Sequence, residues 1–212
     1  VPERIVCFDV SNTFGKWAVA SNVSFFRELP DKKYYRHYSI RSVRRIDDYA
    51  MIREVVRRMV IGLKEGRELF PPDLMVIDGG KGHLASALTV LREEQYDMIP
   101  CVAIAKEFED IYVPHRRDPV RLDEGSAPLN LLKRIRDEAH RFAITYHQNI
   151  RQKELSRSRL DAIRGIGQKR KALLLKTFGS LAEIRRAKII DLCRVKGITR
   201  NLAERVHAAL QG

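Results

Sequence analysis

The stretch Leu74-Met75-Val76-Ile77-Asp78-Gly79-Gly80-Lys81-Gly82 constrains this chain more than any other. Four consecutive apolar residues, two of them β-branched, predict a short strand buried on both faces. Sheets covered by helices on both sides require such strands. The run ends in a carboxylate, and an apolar-periodic segment from His83 to Leu91 predicts a helix directly after the glycines. A charge is costly inside a buried strand but can face the crevice at its C-terminal end, where open α/β sheets place their ligands. Asp78 therefore reads either as a chemical group at that crevice or as a turn-forming cap for the next helix. Gly79-Gly80-Lys81-Gly82 lacks the G-x-x-x-x-G-K-[ST] spacing of a nucleotide-binding loop, which excludes ATP binding of that kind. Lys81 is a candidate phosphate contact or a solvated loop lysine.

The remaining elements follow from the same periodicities. Arg4 to Ser11 predicts a strand whose apolar run, Ile5-Val6-Cys7-Phe8, gives way to Asp9, a second strand-terminal acid. Asn12-Thr13-Phe14-Gly15 reads as a turn, Trp17 to Phe26 as the returning antiparallel strand, and Lys33 to Ile40 as a third strand after a turn at Pro30-Asp31. Met51, Ile52, Val55, Val56, Met59, Val60 and Leu63 recur at helical spacing and predict a helix over about 48–64, with Asp47 and Asp48 at its positive end. Cys101 to Ala105 is a further buried strand, followed by Lys106. Ile111-Tyr112-Val113 and Val120-Arg121-Leu122 suggest a small hairpin, and a long helix runs from Leu129 to about Leu155. The order β-β-β-α-β-α-β-α predicts an α/β domain with a mixed sheet flanked by helices, spanning residues 1–153.

Past a polar stretch at 152–158, which reads as a linker, strand signals vanish. Gly165-Ile166-Gly167 and Gly197-Ile198-Thr199 stand 32 residues apart, Leu160 matches Leu192 and Ile163 matches Val195 at the same offset. This is a weak repeat of helix, tight turn and helix, and it predicts a small all-α domain over 158–212. Of the chain's net charge of +13, residues 151–212 hold +11, with 16 Lys and Arg against 5 Asp and Glu. Such a segment suits a polyanion, with nucleic acid foremost. Glycine turns let backbone approach a phosphate, and the following helix N-terminus aims free N–H groups at it. The candidate DNA contacts are Gly165, Ile166, Gly167, Lys169, Arg170 and Lys171 in the first turn, and Gly197, Ile198 and Arg200 in the second. The first turn is expected to bind more strongly, because it keeps Gly-x-Gly and three basic residues follow.

No apolar run approaches the ~18–20 residues of a membrane span. Three scattered cysteines, Cys7, Cys101 and Cys193, lack metal spacing and read as reduced thiols of a cytoplasmic protein. The start, Val1-Pro2-Glu3-Arg4, has no signal pattern and leads straight into a strand, as expected for an excerpt of a longer protein.

His140, in Arg136-Asp137-Glu138-Ala139-His140-Arg141-Phe142, borders the apolar stripe Ile135, Ala139, Phe142 of the long helix and can face the sheet. Two strand-end carboxylates need a compensating cation. Asp9, Asp78 and His140 together offer two oxygens and an imidazole, a set that suits Mg²⁺ or Mn²⁺. A histidine held only by hydrogen bonds is the alternative at His140.

Four runs, Phe8-Asp9-Val10-Ser11-Asn12, Asp47-Asp48-Tyr49-Ala50, Val76-Ile77-Asp78-Gly79-Gly80-Lys81-Gly82 and Arg136-Asp137-Glu138-Ala139-His140, resemble in order the C-terminal half of the UvrC family. The resemblance covers about Arg4 to Leu210. It implies an RNase H-like endonuclease domain followed by tandem helix-hairpin-helix motifs. It also implies metal-dependent incision of a damaged DNA strand on the 5′ side of a lesion, in bacterial nucleotide excision repair. On that resemblance Asp9, Asp78 and His140 are the catalytic set, with His140 either a ligand or a proton carrier. Asp48 is a further candidate or a helix-start acid. The implied partners are damaged duplex, bubble or junction DNA and UvrB, whose binding segment lies upstream of this stretch, with UvrA in the pathway. His83 stands where the family is expected to carry glutamine and reads as a solvent-facing helix residue, with a stray metal ligand as the alternative. A nuclease-like recruitment module without activity, and a junction resolvase or RNase H-type nuclease, are the alternative readings.

Overall fold

The structure, a computed structural model, describes the backbone of residues 1–13, 17–40, 47–67, 70–106 and 109–211. Its elements are β1 (Arg4–Thr13), β2 (Trp17–Phe26), β3 (Leu29–Pro30), β4 (Arg36–Ser39), α1 (Asp48–Lys64), β5 (Leu74–Asp78), α2 (Lys81–Glu93), β6 (Cys101–Ala105), β7 (Asp110–Tyr112), α3 (Ala127–Asp161), α4 (Gln168–Phe178), α5 (Leu181–Arg186), α6 (Ile189–Cys193) and α7 (Arg200–Gln211). They fall into two compact units, 1–146 and 147–212.

The first unit is the expected mixed α/β sheet flanked by helices. Strand order is β3-β2-β1-β5-β6-β7, with β4 also paired to β2. β1, β5 and β6 run parallel, while β2 and β7 are antiparallel to their neighbours. Alternation along the strands divides the core. Val6 and Phe8 of β1 and Met75 and Ile77 of β5 pack with α1 and α2 residues such as Ile52, Val56, Leu84 and Val90. Ile5 and Cys7 of β1, Val76 of β5 and Ile104 of β6 pack with Ile135 and Ala139 of α3. α1 begins where the sequence placed it, with the Asp47 carboxylate accepting the Ala50 N–H at 2.9 Å.

Several expectations change. β1 does not stop near Asp9. It continues to Thr13, with Asn12 and Thr13 paired to Ala18 and Trp17, while the rest of the expected turn, Phe14 and Gly15, lies outside the described residues. The third strand shrinks to Arg36–Ser39. A 3-10 turn at Lys32–Tyr34 precedes it, and Leu29–Pro30 pairs instead with the end of β2. Of the second hairpin, Ile111 pairs with Val120 through a single bridge. α3 runs to Asp161, through the polar stretch read as a linker. Residues 151–160, Arg-Gln-Lys-Glu-Leu-Ser-Arg-Ser-Arg-Leu, hold neither Gly nor Pro and are mostly good helix formers, so polarity there does not break the helix.

The second unit is all helical, and the 32-residue repeat is structural. Leu160, Ile163 and Ile166 are buried in one core with Leu192, Val195 and Ile198. Ile163 N–H donates to Leu160 C=O and Ile166 N–H to Ile163 C=O, and Val195 and Ile198 repeat both bonds with Leu192 and Val195. Gly165 and Gly197 take φ of +95° and +85°, the left-handed conformation that each turn requires. Among the described residues, no helix is long and apolar enough to cross a membrane.

Candidate metal centre and nucleic-acid interface

Strand alternation selects the face on which the acids meet. Asp9 follows Cys7 by two residues, and Asp78 follows Val76 by two, so both carboxylates point to the α3 side of the sheet. The parallel register pairs Phe8 with Ile77, which makes Asp9 and Asp78 next neighbours across the ladder. β5 ends there, whereas β1 goes on beside β2, so Asp9 is inside its strand but beyond the end of its parallel partner. α3 approaches closely because Ala139 is small: Ser21 Oγ donates to Ala139 C=O at 3.4 Å. Tyr35 OH donates to Glu138 at 3.0 Å, and Arg136 is paired with Glu109 and Asp137. These contacts hold the helix so that His140 reaches the acids. One ligand atom from each of Asp9, Asp78 and His140 lies within 4.8 Å of the other two.

The electrostatics suit a cation. Asp9 is 5 % exposed, and among the described residues its buried Oδ2 has no hydrogen-bond partner. Such an orphaned acceptor is costly unless an ion completes it. His140 Nδ1 lies 3.8 Å from that oxygen, on a half-exposed ring. Burial and the neighbouring Asp78 carboxylate push Asp9 up to about 6, against the pull of His140 and Lys106. The donor set therefore fits a divalent metal: two adjacent carboxylates, one short of a counter-charge, and an imidazole at the mouth.

Lys106 was not among the sequence candidates. Its ammonium lies 3.4 Å from Asp78 Oδ2 and 3.3 Å from His140 Nδ1. The signal was present: Val102 and Ile104 face α3, and Lys106 continues their alternation one step beyond β6. A cation so close to a metal ligand repels an incoming ion and, without one, relieves the carboxylate pair. Lys106→Met should therefore bind Mn²⁺ about tenfold more tightly in calorimetric titration, from the Coulomb repulsion removed at a partly exposed site. Its metal-free form should melt at a lower temperature than wild type. Weaker Mn²⁺ binding by this variant would contradict the placement.

A pH prediction follows from Asp9. Without metal, the folded state keeps its proton up to about 6, and the unfolded chain releases it near the ordinary value of 3.8. The folded state binds more protons in that window, so this group lowers stability as pH rises through it and costs a constant amount above it. Asp9→Asn removes the cost. In EDTA its stability advantage over wild type should grow from near zero at about pH 3 to roughly 3 kcal/mol at most at pH 7. A gap that does not change with pH in denaturant melts would refute this.

The other candidates fall elsewhere. Asp48 is the first residue of α1, and the metal-type cluster found among the described residues is Asp9, Asp78 and His140. His83 is not simply solvent-facing: its Nδ1 accepts the Gly80 N–H at 3.3 Å and its ring lies 4.9 Å from that of Tyr49. The glycine run serves this packing. At Gly79, where φ is +147°, a Cβ would stand 2.6 Å from the His83 ring, and one on Gly82 would stand 2.7 Å from Tyr49. Lys81 opens α2, is exposed, and donates to Arg117 C=O at 3.4 Å.

In the second unit, Lys169 and Arg200 are exposed, but Lys171 is 5 % exposed and its ammonium is held 2.5 Å from Asp161. Ile166 and Ile198 are buried, and their N–H groups are used inside the turns. α4 makes its first helical bond from Lys171 N–H to Gly167 C=O, with no side-chain cap, which leaves the N–H groups of Gln168, Lys169 and Arg170 ahead of the ladder. α7 starts the same way from Ala203 to Thr199, but the Thr199 hydroxyl accepts the Leu202 N–H at 3.4 Å. The second turn thus leaves only Arg200 and Asn201 ahead of its ladder.

Residues 1–144 match the family described as "UvrC RNAse H endonuclease domain", and residues 158–211 match "SAM-like Helix-hairpin-helix tandem". UvrABC system protein C of Dehalococcoides mccartyi is 46% identical over 206 residues, covering 95% of this chain and 34% of its own length. The same-named protein of Gloeobacter violaceus is 42% identical over 216 residues, covering 100% and 34%. That of Methanothermobacter thermautotrophicus is 43% identical over 212 residues, covering 100% and 35%. The chain spans about a third of the length of these relatives.

Proposed function

The chain belongs to the UvrC RNase H endonuclease family, and from that premise we propose that it is the cutting portion of a nucleotide excision repair endonuclease. It hydrolyses a phosphodiester of the damaged strand on the 5′ side of a lesion. The observation that carries this reading is the juxtaposition of Asp9, Asp78 and His140 around one buried, unsatisfied carboxylate oxygen. These residues would hold Mg²⁺ or Mn²⁺. When bound, such an ion supplies water activation and charge stabilisation at the leaving oxygen. Asp9 and Asp78 fix its place because their strands are locked in register. His140, on the rim, completes the ligand set, and Lys106 offsets charge beside Asp78. Lys81 at the head of α2 is a phosphate contact on the same sheet end.

The basic second unit grips the DNA backbone. The free N–H groups at the starts of α4 and α7, with Lys169 and Arg200 beside them, suit phosphate oxygens rather than base edges. Gly165, Gly167 and Gly197 shape the turns, and Ile166 and Ile198 anchor them. Lys171, already paired with Asp161, shapes the unit rather than the contact. Binding should therefore follow DNA structure, such as bubbles and junctions, more than sequence. Within the longer proteins, UvrB and UvrA are the proposed partners, and the cytoplasm the proposed location.

A nicking assay tests the reading. The chain is incubated with a bubble duplex, a Holliday junction and an RNA–DNA hybrid, in Mg²⁺, Mn²⁺ or EDTA. Metal-dependent nicking of one strand of the bubble is expected. Cutting restricted to junctions or hybrids would favour a resolvase or RNase H-type enzyme, and binding without cutting under every metal would leave a recruitment module.

A further inference from the structure

Arg170 is among the exposed basic residues that follow the first turn, yet its guanidinium is bonded back onto the backbone of both turns. Nε donates to Gly197 C=O and Nη1 to Gly165 C=O, both at 2.8 Å. These two carbonyls belong to the left-handed glycines of the two turns, 32 residues apart. The packing is reciprocal. A Cβ on Gly197 would stand 3.6 Å from Arg170 Nε on α4, and one on Gly165 would stand 3.2 Å from Leu202 Cδ1 on α7. Each turn therefore rests on the helix that follows the other. The repeat partner of Arg170 is Leu202, which is buried in the shared core, so that position of α7 offers no equivalent guanidinium. A planar fork with fixed donor directions can span two acceptors, which a single ammonium cannot do with the same geometry.

We propose that Arg170 is a positioning residue that locks the two hairpins at one spacing, so that both engage the same DNA backbone at once. This rests on the reading that the hairpins bind DNA phosphates. Once one hairpin is bound, the second binds at an effective concentration set by the rigidity between them. Arg170 maintains that rigidity through the two glycine carbonyls, and a loosened pair loses the advantage while each hairpin keeps its own contacts.

The test is a double-mutant cycle on the whole chain with duplex DNA. Arg170→Lys keeps the charge and loses the fork, and Arg170→Gln loses both. Each is made alone and together with Lys196→Gln/Arg200→Gln, which weakens the second hairpin's grip from exposed positions. Alone, both Arg170 variants should lose about tenfold in affinity. In the weakened background they should lose less than twofold, because little remains to be coupled. In NMR spectra, the amides of Ile166 and Ile198, which share peptide groups with the two glycine carbonyls, should both shift in Arg170→Lys. An Arg170→Lys variant that binds like wild type, or an equal loss in both backgrounds, would make Arg170 an ordinary phosphate contact and overturn the proposal. So would unshifted Ile166 and Ile198 amides. If wild type binds no duplex, or the Lys196/Arg200 changes have no effect, the DNA-binding reading fails. The amide shifts then still decide whether the tie exists.

Discussion

Asp78→Asn is expected to lose metal-dependent nicking by about a thousandfold or more while its duplex binding stays within a factor of two. Asp78 is one of two carboxylates that can hold the ion, and the ion's stabilisation of developing charge is worth several kcal/mol, of which ~4 kcal/mol already gives this factor. On the proposed reading the basic second unit grips the DNA, so binding should be spared. The same variant should be more stable than wild type in EDTA, since the Asp78 charge is part of what pushes Asp9 up. Activity and stability moving in opposite directions is the signature of a site whose like charges are held together for function. Near-normal nicking by a folded Asp78→Asn protein would remove Asp78 from the site.

The second large effect is expected at Gly165. Gly165→Val places a β-branched residue at φ +95°, with its Cβ 3.2 Å from Leu202. Strain of this kind costs about 1–3 kcal/mol before any clash, in a small helical unit with little to spare. Duplex affinity should fall about a hundredfold, with a loss of helical signal in circular dichroism. Gly167→Ala is the informative contrast. Gly167 has φ −88°, and a Cβ there meets nothing within 4 Å. That variant should keep its fold and lose affinity only through the added methyl at the DNA surface. Gly197, at φ +85°, should behave more like Gly165. The sequence grouped Gly165 with Gly167, but the backbone groups Gly165 with Gly197. The position shared by Gly167 and Thr199 tolerates a side chain, which explains why the second turn functions as a turn with threonine there. Equal folding defects in Gly165→Val and Gly167→Ala would refute this division.

Periodicity made most of the first unit legible. The helical spacing from Met51 to Leu63 and the apolar runs at 5–8, 74–77 and 101–105 are strong signals, since the helix presents one core face and each strand run feeds the cores on both sides of the sheet. Strand alternation even places Asp9 and Asp78 on one face once their strands are neighbours. The parallel register that brings them together is a long-range property and becomes visible only in the folded sheet. Lys106 was missed because a lysine after a strand is common, and its meaning depends on that register. The continuation of α3 is hidden by the polarity of residues 152–158, although helix propensity there is high. In the tail, the sequence alone does not distinguish Lys169, Arg170 and Lys171. Their partners separate them: Lys171 is buried and committed to Asp161, Arg170 is exposed but bonded to two glycine carbonyls, and Lys169 faces solvent.

The most direct test of the account is the position of the ion itself. Crystals of the chain soaked in Mn²⁺ and measured for anomalous scattering would locate it. A peak bounded by Asp9, Asp78 and His140 is expected, with carboxylate oxygens coordinated to it and the Lys106 ammonium moved off Asp78. Mn²⁺ bound elsewhere in the unit, with Asp9 Oδ2 still unliganded, would contradict it.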